Sequence, residues 1–184
     1  MRSRSRRALL IGLLFGLSLV GNGFPQATST QIPVRGPGVH IENMRMGELA
    51  VKYVISIPKD YSPSRPVPLV LALHYGGSPN GAAQGLMLLL VQPALAELGA
   101  VILAPESLGG GWDTRNNQRA VDTLMDAVQA SYSIDSKRIA VTGFSMGGTG
   151  TWSVVSRYPE KFSAAIPVAG MPPSTMGQWR TPVF

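Results

Sequence analysis

A chain of 184 residues, 45% hydrophobic and 14% charged, can bury one sizeable core and suggests one domain. Its formal net charge of +6 comes from 16 Lys+Arg against 10 Asp+Glu, and Arg2, Arg4, Arg6 and Arg7 crowd the N-terminus, so the remainder carries 12 against 10. No basic run with interleaved aromatics is left, and nucleic-acid binding is not expected. The chain has no Cys, which excludes disulfides, zinc–thiolate sites and a cysteine nucleophile.

The basic head is followed by Ala8 to Val20, an apolar run of 13 residues broken by Gly12, Gly16 and Ser18, and then by small and polar residues to Ala27. This is the layout of a secretory signal peptide over 1–27, too short to span a bilayer comfortably. Ser5-Arg6-Arg7-Ala8-Leu9-Leu10 partly matches a twin-arginine export signal, so a secreted or periplasmic protein without stable membrane insertion is expected. Residues 28–38 hold three Thr/Ser and two Pro and read as a linker, leaving 39–184 as the folded domain.

Extended runs around Val39-His40-Ile41 and over Leu49 to Ile57 predict two antiparallel strands. A Pro-rich surface loop follows, from Asp60 to Pro68. Val67 to Leu73 is continuously apolar, as a strand buried on both faces should be. A helix is predicted over Ala82 to Leu98, with Pro93 marking a break or second start and Gly99 as its C-cap. Ala100 to Ala104 is a second buried strand, followed by the glycine-rich loop Pro105 to Gly111. Asn116 or Asn117 is expected to cap a helix through Tyr132, with Val121, Leu124, Met125 and Val128 on its buried face. A strand over Lys137 to Thr142, a helix over Ser145 to Tyr158 and a strand over Phe162 to Val168 complete the series, and Thr181 to Phe184 looks like the start of one more. Strands alternating with helices predict an α/β fold, a three-layer αβα sandwich with a mostly parallel sheet. In such sheets the site lies outside the carboxyl ends of the strands. There the loops His74 to Asn80 and Glu106 to Asp113 should meet the turn at Ser145.

That turn reads Gly143-Phe144-Ser145-Met146-Gly147, between an apolar strand and a helix start. A Gly-x-Ser-x-Gly element in this context is a nucleophile elbow. The glycines admit a turn so tight that a Cβ would crowd the neighbouring strand or helix. Ser145 then projects at a helix N-terminus, where free N–H groups favour negative charge. The Met146 N–H is the expected oxyanion donor. The second donor should follow the first buried parallel strand, either as the Gly76 N–H or as the Tyr75 hydroxyl. Trp112 is read as either substrate-facing or a loop anchor. His74, at a strand end, is expected to buttress its loop by hydrogen bonding rather than act as a base, and His40 is unrelated to the site. Asp122 and Asp126 are expected to be solvated, and Asp135 is read in the turn before the elbow strand, at the far end from Ser145. Scattered carboxylates and two separated histidines give no metal-ligand spacing, and acyl transfer of this kind needs no cofactor.

His74-Tyr75-Gly76-Gly77, the Trp112 loop and Gly143-Phe144-Ser145-Met146-Gly147-Gly148 together resemble the α/β-hydrolase superfamily over roughly Ala50 to Phe184. Within it the chain is similar to secreted esterases of the dienelactone-hydrolase, polyhydroxybutyrate-depolymerase-like and feruloyl-esterase-like groups, often described as predicted peptidases. Tyr-Gly-Gly is also similar to prolyl-oligopeptidase-type enzymes, whose tyrosine hydroxyl serves the oxyanion hole. The resemblance implies Ser145 as nucleophile, Met146 with Tyr75 or Gly76 as the oxyanion hole, and an ester of a small molecule or polymer as substrate. It also implies an acid after the next strand and a later His. Neither has a counterpart here, so the chain is expected to be an N-terminal portion of the fold, without the last strands. A prolyl-oligopeptidase-type peptidase and a catalytically inactive truncated hydrolase are the alternatives.

Overall fold

The computed structural model describes residues 31–174 and 180–184. The predicted signal segment lies outside the described residues. Two β-branched runs open the fold as a hairpin. β1 (Gly38–Met46) pairs antiparallel with β2 (Leu49–Ile57) in continuous register from Gly38↔Ile57 to Met46↔Leu49. The apolar runs then form β3 (Val67–Leu73), β4 (Val101–Pro105), β5 (Ile134–Phe144) and β6 (Ala164–Val168). The sheet order is β1-β2-β4-β3-β5-β6, with β4, β3, β5 and β6 mutually parallel and β2 antiparallel to β4. The expected further strand at 181–184 is present as a single parallel bridge, Ala165↔Val183, with Phe184 N–H donating to the Ala165 carbonyl at 3.0 Å.

Period-2 alternation on β3 explains the layers. Leu69, Leu71 and Leu73 enter one core with Leu103, Leu124, Met125, Val154 and Val155, under α3 (Arg115–Ser131) and α4 (Met146–Arg157). Val70 and Ala72 enter a second core with Ile102, Ala83, Leu86 and Met87 on the opposite face. The sheet is therefore sandwiched between two helical layers, as its sequence pattern predicts. Residues read as a linker dock on the first core through Ile32, and the Arg35 N–H donates to the Tyr132 hydroxyl at 2.8 Å.

The helical stretch after β3 is less regular than expected. It runs as α1 (Ala82–Leu86), a π-helical turn (Met87–Val91), α2 (Gln92–Leu95) with Pro93 in its first turn, and a 3₁₀ turn ended by Gly99 in a left-handed conformation. Pro93 lacks an N–H, and a widened turn just before it accommodates the lost bond. Two further expectations are corrected. Asn117 does not cap α3: Thr114 is the residue before the helix, and Asn117 is fully buried within the first turn. Asp122 is paired with Arg157 at 2.8 Å, whereas Asp126 is solvated as expected, with Lys161 3.8 Å away.

Candidate active site

The nucleophile candidate sits where β5 turns into α4. Ser145 has φ 55° and ψ −113°, a backbone conformation that L-residues rarely adopt. Both of its backbone polar groups are occupied. Its N–H donates to the Val168 carbonyl of β6 at 2.9 Å, and its carbonyl accepts the Thr149 N–H at 3.0 Å. The flanking glycines are required sterically. A Cβ on Gly147 would fall onto the Leu73 carbonyl oxygen, and one on Gly143 would meet the Gly147 carbonyl, with Leu73 O at 2.8 Å. The turn is thus pressed against the end of β3, which leaves the Ser145 side chain exposed to solvent.

The loop after β3 lies across the start of α4. A Cβ at Gly76 would stand 3.7 Å from the Met146 Cβ, so the structure brings Gly76 and Met146 side by side next to Ser145. Met146 is the first residue of α4, and its N–H has no acceptor within the helix. The Tyr75 hydroxyl, in contrast, lies over α1, 2.9 Å from where a Gly85 Cβ would be.

His74 is fully buried and joins three segments. One ring nitrogen, Nε2, accepts the Ser107 N–H at 3.0 Å, so the proton sits on Nδ1 and is donated to the Tyr75 carbonyl at 2.6 Å. The His74 carbonyl accepts the Trp112 indole N–H at 3.0 Å. Burial pushes the imidazole below its ordinary range, against smaller raising influences from the Tyr75 carbonyl and Glu106. With both nitrogens occupied, this ring buttresses the loops and has no lone pair to offer Ser145.

Trp112 is the loop anchor of its two readings. It is only 2% exposed, stacks edge-on against His74 with centroids 5.0 Å apart, and packs where a Gly150 Cβ would stand, 2.6 Å from its own Cβ. Its loop and α4 border a groove of about 330 Å³, lined also by Met146, Thr149, Ser153, Ser156 and Pro173. A larger cavity of about 580 Å³ lies at the opposite end of the sheet, among Lys59, Arg65 and Glu97, and takes no part in the site. His40 is likewise remote in role: its Nε2 pairs with the Gly36 carbonyl at 2.9 Å. Asp135 is engaged by Arg138 at 2.7 Å at the start of β5.

Two organising residues escape a reading by motif. Asn117 accepts the Leu108 N–H at 2.6 Å and donates to the Gly109 and Gly111 carbonyls at 3.0 and 2.8 Å. Glu106 accepts the Gly81 N–H at 2.6 Å before α1, with the Lys52 ammonium 3.6 Å away. A carboxylate directly after a buried parallel strand is the available sequence signal for Glu106. No cluster of potential metal ligands occurs among the described residues.

A strained serine between a parallel strand and a helix, set against the glycine loop of the neighbouring strand, defines the α/β-hydrolase fold. The Esterase family model, described as "Putative esterase", matches residues 104–182, which span the Trp112 loop, the elbow and β6. "Probable feruloyl esterase C" of Aspergillus niger is 28% identical over 174 residues, covering 89% of this chain and 61% of the relative. "Feruloyl esterase C" of Emericella nidulans is 30% identical over 127 residues, covering 65% of this chain and 46% of the relative. A solved structure of a thermostable esterase superposes with a TM-score of 0.60 at 28% identity, over 75% of this chain and 42% of that one. The chain shares the α/β-hydrolase fold and is similar to carboxylic-ester hydrolases of that superfamily. It spans about half to three-fifths of the length of the two feruloyl esterases.

Proposed function

We propose that the protein is a secreted serine esterase that works through an acyl-enzyme on Ser145, and that esters of aromatic acids are among its substrates. The observation that carries this reading is the strained Ser145 turn held beside Met146 and Gly76. Ser145 Oγ attacks the ester carbonyl, and the developing oxyanion takes hydrogen bonds from the Met146 and Gly76 N–H groups. Collapse of the tetrahedral intermediate expels the alcohol, and water then releases the acid. The proton shuttle falls to neither histidine of this chain, since His74 is saturated by its two loop partners. We propose that the base comes from the part of the fold that the longer relatives have and these residues do not span. The feruloyl esterases among the relatives support an aromatic acyl group. So does the pair of Tyr75 and Phe144, whose rings meet edge-on at 6.5 Å beside the nucleophile.

Expression from the complete reading frame, secretion assays and turnover of p-nitrophenyl acetate and ferulate test the reading. Ser145→Ala should abolish turnover, and a fluorophosphonate should label Ser145 and no other serine. Hydrolysis that survives Ser145→Ala would refute the assignment.

A further inference from the structure

Gly85 lies inside α1 (Ala82–Leu86), where glycine is a poor helix former. Its own backbone does not demand a glycine. Its φ is not positive, and its N–H donates to the Gly81 carbonyl at 2.9 Å. The demand comes from across the loop. A Cβ on Gly85 would lie 2.9 Å from the Tyr75 hydroxyl oxygen but 4.0 Å from its Cζ. The ring is thus at ordinary contact distance, and only the hydroxyl oxygen is too close. No described residue forms a hydrogen bond with that hydroxyl. The ring stands edge-on to Phe144 at 6.5 Å and to His74 at 6.3 Å. Phe144 directly precedes Ser145 and is 38% exposed.

We propose that Gly85 is a specificity-determining position of the ester site: its missing side chain lets the Tyr75 phenol rest against α1, so that Tyr75 and Phe144 form an aromatic wall beside Ser145. This deepens the esterase reading and rests on it. In this arrangement Tyr75 shapes the acyl side of the site, and the second oxyanion donor is the Gly76 N–H. A side chain at position 85 forces the phenol off α1, and the ring, which contacts Phe144 next to Ser145, carries the shift to the site. There it narrows the space for a flat aromatic acyl group more than for an acetyl group. Aromatic rings favour edge-to-face and offset contacts, so the displaced wall also loses its orientation toward the substrate.

The test uses Gly85→Ala, Tyr75→Phe and the double variant, in protein expressed from the complete reading frame. Turnover of p-nitrophenyl acetate and p-nitrophenyl ferulate is compared, because they share a leaving group. Gly85→Ala should raise KM for the ferulate at least about fivefold relative to the acetate. The double variant should restore the wild-type ratio, because removing the hydroxyl removes the one close atom. Tyr75→Phe alone should lower kcat on the acetate by less than about tenfold, since loss of a true oxyanion donor costs about 10²- to 10³-fold. An unchanged ratio in Gly85→Ala, failure of the double variant to restore it, or a larger kcat loss in Tyr75→Phe overturns the proposal. If the wild type turns over neither ester, the esterase reading fails on its own account. Thermal melting then decides the Gly85–Tyr75 contact: Gly85→Ala should lower Tm and the double variant should recover it, and a raised or unchanged Tm in Gly85→Ala overturns the contact.

Discussion

The Nε2 of His74 accepts the Ser107 N–H at 3.0 Å, tying the end of β3 to the end of β4. The bond exists only while the ring is neutral. An unfolded histidine takes up its proton near pH 6.5, whereas burial holds folded His74 below that value. Between the two the unfolded chain binds more protons, so stability rises with pH in that window. The contribution is complete above about pH 6.5 and is lost as pH falls toward the folded value. Urea titrations between about pH 5 and pH 8 should show this slope, and His74→Gln should flatten it while retaining an acceptor. An identical slope in the variant would contradict the assignment.

Gly147→Ala should unfold the elbow. The added methyl would collide with the Leu73 carbonyl, with His74 O at 2.8 Å, and both are backbone atoms held by the sheet. A clash against buried backbone belongs among the severe substitutions, and a loss of about 4 kcal/mol or more is expected. Circular dichroism melts measure it, and a loss under about 1 kcal/mol would show that the turn can open.

Ser145→Gly should stabilise the protein while removing the proposed nucleophile. A non-glycine residue in this conformation costs about 1–3 kcal/mol, and glycine gives back part of that through its more flexible unfolded chain. A net gain of about 1 kcal/mol is expected, seen as a raised Tm with no fluorophosphonate labelling. A lower Tm would mean that the serine side chain contributes more than its backbone strain costs.

Asn117→Asp should weaken the loop between β4 and α3. The amide donates to two carbonyls, and a carboxylate would instead turn its lone pairs toward both. Turning lone pairs toward these two part-buried carbonyls should cost about 1–2 kcal/mol. Chemical denaturation checks the figure, and amide exchange at Leu108 should report loosening of the loop before global unfolding.

The apolar runs of β3 and β4 and the Gly-x-Ser-x-Gly turn were readable because burial on both faces and a tight turn each demand particular residues. The start of β5 was not. Asp135 and Ser136 look like a polar turn before a strand that begins at Lys137, yet the strand runs from Ile134, and Arg138 closes on Asp135 and on the Pro66 carbonyl. Asn117 was misread because an asparagine before a helical pattern signals a cap, whereas its true partners are loop carbonyls that only folding brings near. Trp112 showed the same limit from the other side. A loop tryptophan is either ligand-facing or buried, and the choice depends on Gly150, far along the chain, leaving room for it.

The hydrogen bond from Ser145 to Val168 also sets an order of events during synthesis. The serine reaches its unusual backbone geometry against a carbonyl that emerges from the ribosome 23 residues later. Close packing of Gly148 on Gly170 fastens the same junction. A nascent chain that ends before β6 has a serine with nothing to hold its amide. The strained turn of the candidate nucleophile is therefore completed late, after the strand that holds its amide has been laid down.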